Sequence, residues 1–242
     1  MIKAVIFDMD GTILNTLVDL ANAVNYALKE RGHRCNYDID TIRMFFGSGI
    51  RVAFERTLAM ERGCTVDDLE YIGMKDYVNL YSKEEDSIEI EELVKIYMSH
   101  YNVHCNDNTV AYDGIYDLLN QLKARKIKIA VVSNKPDKAV KLLCQELFNG
   151  MFDFCMGELP NLARKPERDM VDASIKALGV STLESIYVGD SEIDLQTAAN
   201  SDMSCVAVSW GFRGYDFLKK HGAVQIIKKP SELLNLAIFA CH

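Results

Sequence analysis

Short apolar runs alternate along the chain with segments of helical period. The runs are "KAVIF" (3–7), "IKIAVVS" (127–133), "FDFCM" (152–156), "SIYVG" (185–189), "CVAVS" (205–209) and "AVQII" (223–227). Their valine and isoleucine content is nearly continuous, without polar alternation, which predicts strands covered on both faces. Between them lie helical patterns. "YDGIYDLLNQLKARK" sets Ile115, Leu118, Leu119 and Leu122 on one face. "PDKAVKLLCQEL" opens on a proline suited to a first turn, and "PERDMVDASIKALG" opens on Pro166 and closes on Gly179. Strand–helix alternation of this kind predicts an α/β fold, a Rossmann-like parallel sheet flanked by helices.

The first run and the second stand roughly 120 residues apart, far more than an ordinary crossover needs. The intervening stretch is helical in pattern: "LVDLANAVNYALKERG" stops at Gly32, "IRVAFERTLAMERG" stops at Gly63, and "VDDLEYIGMKDYVNLYS" and "IEELVKIYMSHYNVH" follow. No strand-like run interrupts it. The acidic run "KEEDSIEIEE" (83–92) reads as a solvated turn and helix start. The prediction is therefore a core made of residues 1–15 and 109–242, with a small all-α domain, 16–108, spliced in after the first strand.

Composition narrows the function classes. An apolar fraction of 49% supports a real core, and the formal charge of −8, with no dense Lys/Arg stripe, argues against nucleic-acid or anionic-membrane partners. Seven scattered cysteines (Cys35, Cys64, Cys105, Cys144, Cys155, Cys205, Cys241) form no CxxC pair, as free thiols in a reducing compartment would. With no leader-like or membrane-length apolar stretch, the expectation is a soluble cytoplasmic protein. The pattern sets no oligomeric state.

Candidate chemistry sits where the strands end. In open parallel sheets, ligands bind beyond the carboxyl ends of the strands. The first run is followed by Asp8, Asp10, Gly11 and Thr12, the second by Ser133, Asn134 and Lys135, and "SIYVG" by "DSEID", which supplies Asp190 and Asp194. Lys165-Pro166 precedes that last strand. Residues two apart on extended backbone point the same way, so Asp8 and Asp10 can face one ligand. With Asp190 they form an all-oxygen site suited to Mg²⁺, which removes the repulsion between carboxylates and lets one approach a phosphate dianion. Asp8 is then placed to attack phosphorus and Asp10 to act as acid and base. Ser133, with Asn134 beside it, is placed to hydrogen-bond a phosphoryl oxygen, and Lys165 to supply positive charge. Asp194, one helical turn beyond Asp190, either caps its helix or orients Lys165 or a metal-bound water.

These motifs, "DMDGT", "VVSN", "RKP" and "GDSEID", resemble in order the four motifs of the haloacid dehalogenase superfamily of phosphotransferases. "VAVSWGFR" and "GAVQIIKKPSELL" resemble its phosphoglycolate phosphatase-like branch. The resemblance implies an aspartyl-phosphate at Asp8, Asp10 as acid/base and as metal ligand through its backbone carbonyl, and a helical cap that opens and closes. The hinges are expected at 15–17 and 106–109. It implies a small phosphorylated metabolite as substrate, phosphoglycolate-like as the best single choice. A sugar phosphomutase, a pyrophosphatase or a nucleotidase are alternatives within the fold, and Thr12 leans towards hydrolysis. A phosphate-sensing binding module is the non-enzymatic rival.

Other residues carry two readings. Gly47-Ser48-Gly49 reads equally as a connector and as a specificity loop that, with Arg51, meets the substrate's far end. Arg43 and Arg56 read as solvated, and Trp210 as packing near a strand end in preference to bracing the active-site edge. The five histidines suggest no metal or nucleophile pair. Three positions depart from the family pattern: Asn15 beside the first hinge, Asp113 at a helix start, and Ser201-Asp202, where Asp tolerates a left-handed backbone.

Overall fold

The computed structural model describes residues 1–74 and 77–239. The chain divides into two compact units, Met1–Asn15 with Val110–His242, and Thr16–Thr109. Thr109, assigned to the core by its sequence, falls in the helical unit.

The first unit is built on a parallel sheet of six strands. These are β1 (Ala4–Phe7), β4 (Lys128–Pro136), β5 (Phe154–Glu158), β6 (Ser185–Gly189), β7 (Ser204–Val208) and β8 (Ile226–Ile227), in spatial order β5-β4-β1-β6-β7-β8. Two short strands, β2 (Leu14–Asn15) and β3 (Val110–Ala111), pair antiparallel beside it. Strand alternation splits the core into two layers. Val5, Phe7, Ile129, Val131, Ile186 and Val188 pack with α6 (Ile115–Ala124) and α7 (Asp137–Phe148). Ala4, Ile6, Ala130, Val132 and Tyr187 pack with α8 (Asp169–Leu178), and Ala198 of α9 (Glu192–Asn200) joins them. Both faces of β1 are buried because helices cover both, and this is why its run lacks polar alternation.

Boundaries moved where edges or bulges intervene. The ladder of β5 begins at Phe154 rather than 152, because Asp153 first takes the Ile129 N–H on its own carboxylate. At the sheet edge only Ile226–Ile227 pair, and Val224 is 99% exposed. β4 runs on to Pro136 through a register shift between Val132 and Pro136, a bulge that re-aims Ser133 and Asn134. Pro166 lies in the turn before α8, which starts at Asp169 and ends on Gly179 with φ +65°. Asp202 adopts φ +55°, the left-handed backbone expected of it.

The helical unit comprises α1 (Leu17–Glu30), α2 (Ile39–Phe45), α3 (Ile50–Glu61), α4 (Val66–Leu69) and α5 (Asp86–His104). Its core joins Leu20, Val24 and Leu28 of α1 to Tyr97 and Tyr101 of α5, whose rings stack at 5.1 Å. The long helix predicted over 66–82 is only α4. The chain turns after Leu69 and passes Gly73 at φ +96°, where a Cβ would lie 2.5 Å from Val52. Lys75 and Asp76, within that predicted helix, lie outside the described residues. Asp19, buried on α1, accepts from the backbone N–H and side-chain amide of Asn108 and from the Thr109 hydroxyl, tying the two ends of the unit.

No helix among the described residues is long and apolar enough to cross a membrane. Cys35, Cys64, Cys105, Cys144, Cys155 and Cys205 are free thiols, and Cys241 lies outside the described residues.

Candidate active site

β1 delivers Asp8 at its carboxyl end, where the Asp8 N–H still donates to Val188 of β6 at 2.8 Å. The order of the sheet reverses at β1, between β4 and β6, so a crevice opens at the tips of these strands. The loop that follows turns back through Gly11 at φ +83°. A Cβ there would lie 2.3 Å from an Asp190 carboxylate oxygen, so only glycine lets the loop approach that acid.

Lys165 is the hub. Its ammonium lies 2.7 Å from Asp8 Oδ1 and 2.8 Å from Asp194 Oδ1, with 3% side-chain exposure. Burial alone would lower its pKa, but Asp194 and Asp8 outweigh that and hold it well above the ordinary lysine range. Asn134 fixes the backbone that carries this ammonium. Its amide oxygen accepts from Lys165 N at 2.8 Å and its amide nitrogen donates to Lys165 O at 3.0 Å. Ser133 is buried at the bulge and accepts from Lys135 N at 3.3 Å.

Asp194 serves both readings given to it. Its Oδ2 accepts from Asp190 N, Ser191 N and the Ser191 hydroxyl, closing a capping box at the start of α9, while Oδ1 holds Lys165. The Tyr187 hydroxyl approaches the same Oδ1 at 3.4 Å. Asp190 is held on both oxygens: Thr12 Oγ1 donates to Oδ1 at 3.2 Å and Phe212 N to Oδ2 at 2.6 Å.

Carboxylate oxygens of Asp8, Asp190 and Asp194 all lie within 4.8 Å of one another, and all three residues are buried. Burial pushes the Asp8 carboxyl up to about 7 against the opposing pull of Lys165. Asp190 is pushed well above the carboxylate range, by burial first and then by Asp194 and Asp8. Three carboxylates stand around one ammonium, and the donors are all oxygen. This set fits a hard divalent cation. The Asp10 carboxylate is not part of the cluster. It is turned to Lys135, whose buried ammonium lies 2.8 and 3.0 Å from its two oxygens.

The match of a protein-family model settles the kinship: the haloacid dehalogenase-like hydrolase model covers residues 5–208. The chain belongs to this family. A phosphoglycolate phosphatase of Pseudomonas syringae pv. tomato is 30% identical over 87% of this chain and 70% of its own. One from Colwellia psychrerythraea is 26% identical over 96% and 95%. Among solved structures, a protein of Lactobacillus delbrueckii subsp. bulgaricus, proposed as a phosphoglycolate phosphatase, superposes with a TM-score of 0.90. It is 45% identical and covers 96% of each chain. By kinship this haloacid dehalogenase-like hydrolase stands with phosphoric monoester hydrolases, and the match to that solved structure, at 96% of the chain, takes in the helical insertion as well as the sheet.

Of the side readings of the sequence, Arg56 needs correction and Trp210 meets both of its alternatives. Arg56, read as solvated, is 1% exposed. Its guanidinium donates to the carbonyls of Met44, Phe45, Phe46 and Ile72 and to the Ser48 hydroxyl, because α3 turns it inward beneath the 44–48 turn. Trp210 packs as expected but also donates its indole N–H to Thr12 O at 3.0 Å, bracing the loop after β1. The other cap candidates lie in the helical unit. Ser48 is buried, Gly47 and Gly49 have φ of +115° and +85°, and Arg51 is half-exposed, 3.9 Å from Glu91. Arg43 faces Asp40 at 3.2 Å.

Sequence reasoning gave no role to Lys135, Phe212 or Arg213. Lys135 carried a signal, since it follows Ser133-Asn134 at a strand tip. The backbone N–H of Phe212 carries none, because any residue but proline could supply it.

Proposed function

We propose that the protein is a Mg²⁺-dependent phosphatase that hydrolyses a small phosphomonoester, phosphoglycolate-like, through an aspartyl-phosphate on Asp8. The observation that carries this reading is the Lys165 ammonium shared between Asp8 and Asp194 at the strand tips. An ion pair so deeply buried is costly unless its geometry serves a purpose. Here it holds a carboxylate oriented beside the crevice, and its positive charge is available to an incoming phosphoryl group.

In the first step an Asp8 oxygen bonds to phosphorus and the bond from phosphorus to the substrate oxygen breaks. Asp10 gives its proton to that leaving oxygen, then takes one from the water that attacks the aspartyl-phosphate, releasing phosphate and Asp8. Lys135 faces both Asp10 oxygens, so Asp10, carrying the proton it took from the water, must leave this partner to reach the next leaving oxygen. Ser133 is available to a phosphoryl oxygen, and Asn134 acts by placing Lys165. Mg²⁺, held by Asp8, Asp190 and the Asp10 backbone carbonyl, would offset the carboxylate and phosphate charges. Asp194 supports this set from behind, by fixing Lys165 and the Asp190 turn.

The choice of substrate rests on kinship with proteins named phosphoglycolate phosphatase. Gly47, Ser48, Gly49 and Arg51 of the helical unit are the candidates for reading the leaving group. A cytoplasmic setting fits the free thiols. The test is Mg²⁺-dependent phosphate release from phosphoglycolate, pyrophosphate, sugar phosphates and nucleoside monophosphates, with Asp8→Asn beside the wild type. Preference for phosphoglycolate, lost in the variant, is the expected result. Turnover that survives Asp8→Asn would defeat the nucleophile assignment, and preference for another member would replace the substrate.

A further inference from the structure

The segment after β7, residues 209–213, belongs to no helix or strand, yet it lies against Asp190 at closest packing. A Cβ on Gly211 would stand 2.4 Å from Asp190 Oδ2 and 2.3 Å from Gly11 O, so this backbone leaves no space over that carboxylate. Phe212 then donates its N–H to Asp190 Oδ2 at 2.6 Å. Its backbone tie to the sheet ends at Ser209, whose N–H donates to Ile227 O at 3.0 Å, and beyond that residue the segment depends on its side chains. Trp210 ties one end to Thr12 O at 3.0 Å. Arg213 ties the other end to Glu192, the first residue of α9 and only two residues beyond Asp190, with Nε 3.0 Å from Oε2 and Nη2 3.4 Å from Oε1.

Both members of that pair are 2% exposed. A buried ion pair is seldom the most stable solution at a site, since well-packed apolar residues of similar volume do as well or better. Its retention is better explained by geometry. The fork of the guanidinium fixes both distance and plane, and the Phe217 ring, 5.4 Å away, backs it on α10 (Gly214–Lys220). The carboxylate so clamped is one whose position decides how well a cation is held. Partners just outside a metal's own ligands commonly set its affinity by orienting those ligands.

We propose that Arg213 and Glu192 form a positioning clamp that presses the Trp210–Arg213 segment onto Asp190 and thereby sets the protein's affinity for its divalent cation. The clamp touches neither substrate nor metal; it acts on Asp190 through the Phe212 N–H, and the Arg213 charge adds a direct pull on the same carboxylate that the double variant and Arg213→Lys separate from geometry. The inference rests on the reading of Asp190 as a metal ligand.

The experiment measures Mn²⁺ binding to the metal-free protein by the loss of the free-ion paramagnetic signal, with Mg²⁺ as displacing competitor. The variants are Asp190→Asn, Arg213→Met, Arg213→Lys and the double variant Arg213→Met with Glu192→Gln, each with its thermal midpoint. Arg213→Met alone strands the buried Glu192 carboxylate and lowers the midpoint, whereas the double variant removes both charges and recovers most of it. The clamp predicts that cation affinity falls ~10- to 100-fold in Arg213→Met. It also predicts that affinity stays low in the double variant although stability returns, and that Arg213→Lys is intermediate. Affinity that recovers together with the midpoint would reduce the pair to a structural role and overturn the proposal. So would wild-type affinity in Arg213→Met while Asp190→Asn has lost binding. Unchanged binding in Asp190→Asn would overturn the metal reading itself, and the clamp with it.

Discussion

Lys165 Nζ lies 2.7 Å from Asp8 Oδ1, although 157 residues separate them in the chain. The bond joins the end of the central strand to the turn ahead of α8, and a second bond at 2.8 Å carries it on to Asp194 at the start of α9. Three elements thus meet on one ammonium. Its loss should be felt in stability and in turnover together.

Lys165→Met leaves Asp8 and Asp194 as buried carboxylates without their cation. The expected costs are about 3–5 kcal/mol of stability, read from denaturant unfolding, and ~10²- to 10³-fold in turnover. Lys165→Arg should restore charge but not activity, because a planar fork cannot replace a point charge between two oxygens. Near-wild-type turnover in Lys165→Met would refute its electrostatic role.

The raised acids make a prediction about metal removal. Asp8 titrates at about 7 in the folded protein against 3.8 as its ordinary value, so the folded state holds its proton more tightly than the unfolded one. That contribution is fully present below the lower value and is lost as pH rises through the upper one. In the metal-free protein this contribution should fall away between about pH 4 and pH 7, read as the difference in thermal midpoint between wild type and Asp8→Asn. The difference is needed because His100, held by burial below its ordinary range, acts the other way in both. Asp38 and Asp86, held below the usual carboxylate range by hydrogen bonds from Thr41 and Arg62 respectively, act at more acid pH, outside that window. A divalent cation competes with protons for the same oxygens, so Mg²⁺ should raise the midpoint more at pH 8 than at pH 5. Equal stabilisation at both would show that these carboxylates are not where the cation binds.

Arg56→Met removes donors from four backbone carbonyls and one hydroxyl inside the helical unit. At about 1–3 kcal/mol for each buried group left unsatisfied, a loss of at least ~3 kcal/mol is expected even after water re-enters. The Phe46–Gly49 turn should show it first, as faster amide exchange. Unchanged exchange there would mean that the turn does not depend on the guanidinium.

Lys135→Met frees Asp10 without removing it. Turnover should fall by at most about tenfold, against ~10²- to 10⁴-fold for Asp10→Ala. Equal losses in the two variants would make Lys135 part of the chemistry rather than a holder of Asp10.

The sheet was legible in the sequence because its strands are buried on both faces, which leaves runs such as "KAVIF" without polar interruption. The polar residues at their tips, Asp8, Asp190 and Asp194, stand out against those runs, and Lys165 is marked by the Lys-Pro pair ahead of α8. What escaped depends on partners distant in the chain. Nothing local distinguishes a buried Arg56 from a solvated one, because its acceptors are backbone carbonyls that every residue carries. The helix expected over 66–82 has the right periodicity, but packing against Val52 at Gly73 decided otherwise. Arg213 looks like an ordinary surface cation until the turn after β7 brings it to Glu192, whereas Lys135 stood at a strand tip but nothing local named Asp10 as its partner.

The most direct test of the central claim is to mix the Mg²⁺-loaded enzyme with phosphoglycolate radiolabelled at phosphorus and quench it in acid within one turnover. The protein is then digested and the label located. The account predicts label on the peptide that carries Asp8, sensitive to hydroxylamine as an acyl phosphate must be, and absent from Asp8→Asn. Substrate consumed with no label on that peptide, at a rate that Asp8→Asn retains, would contradict it.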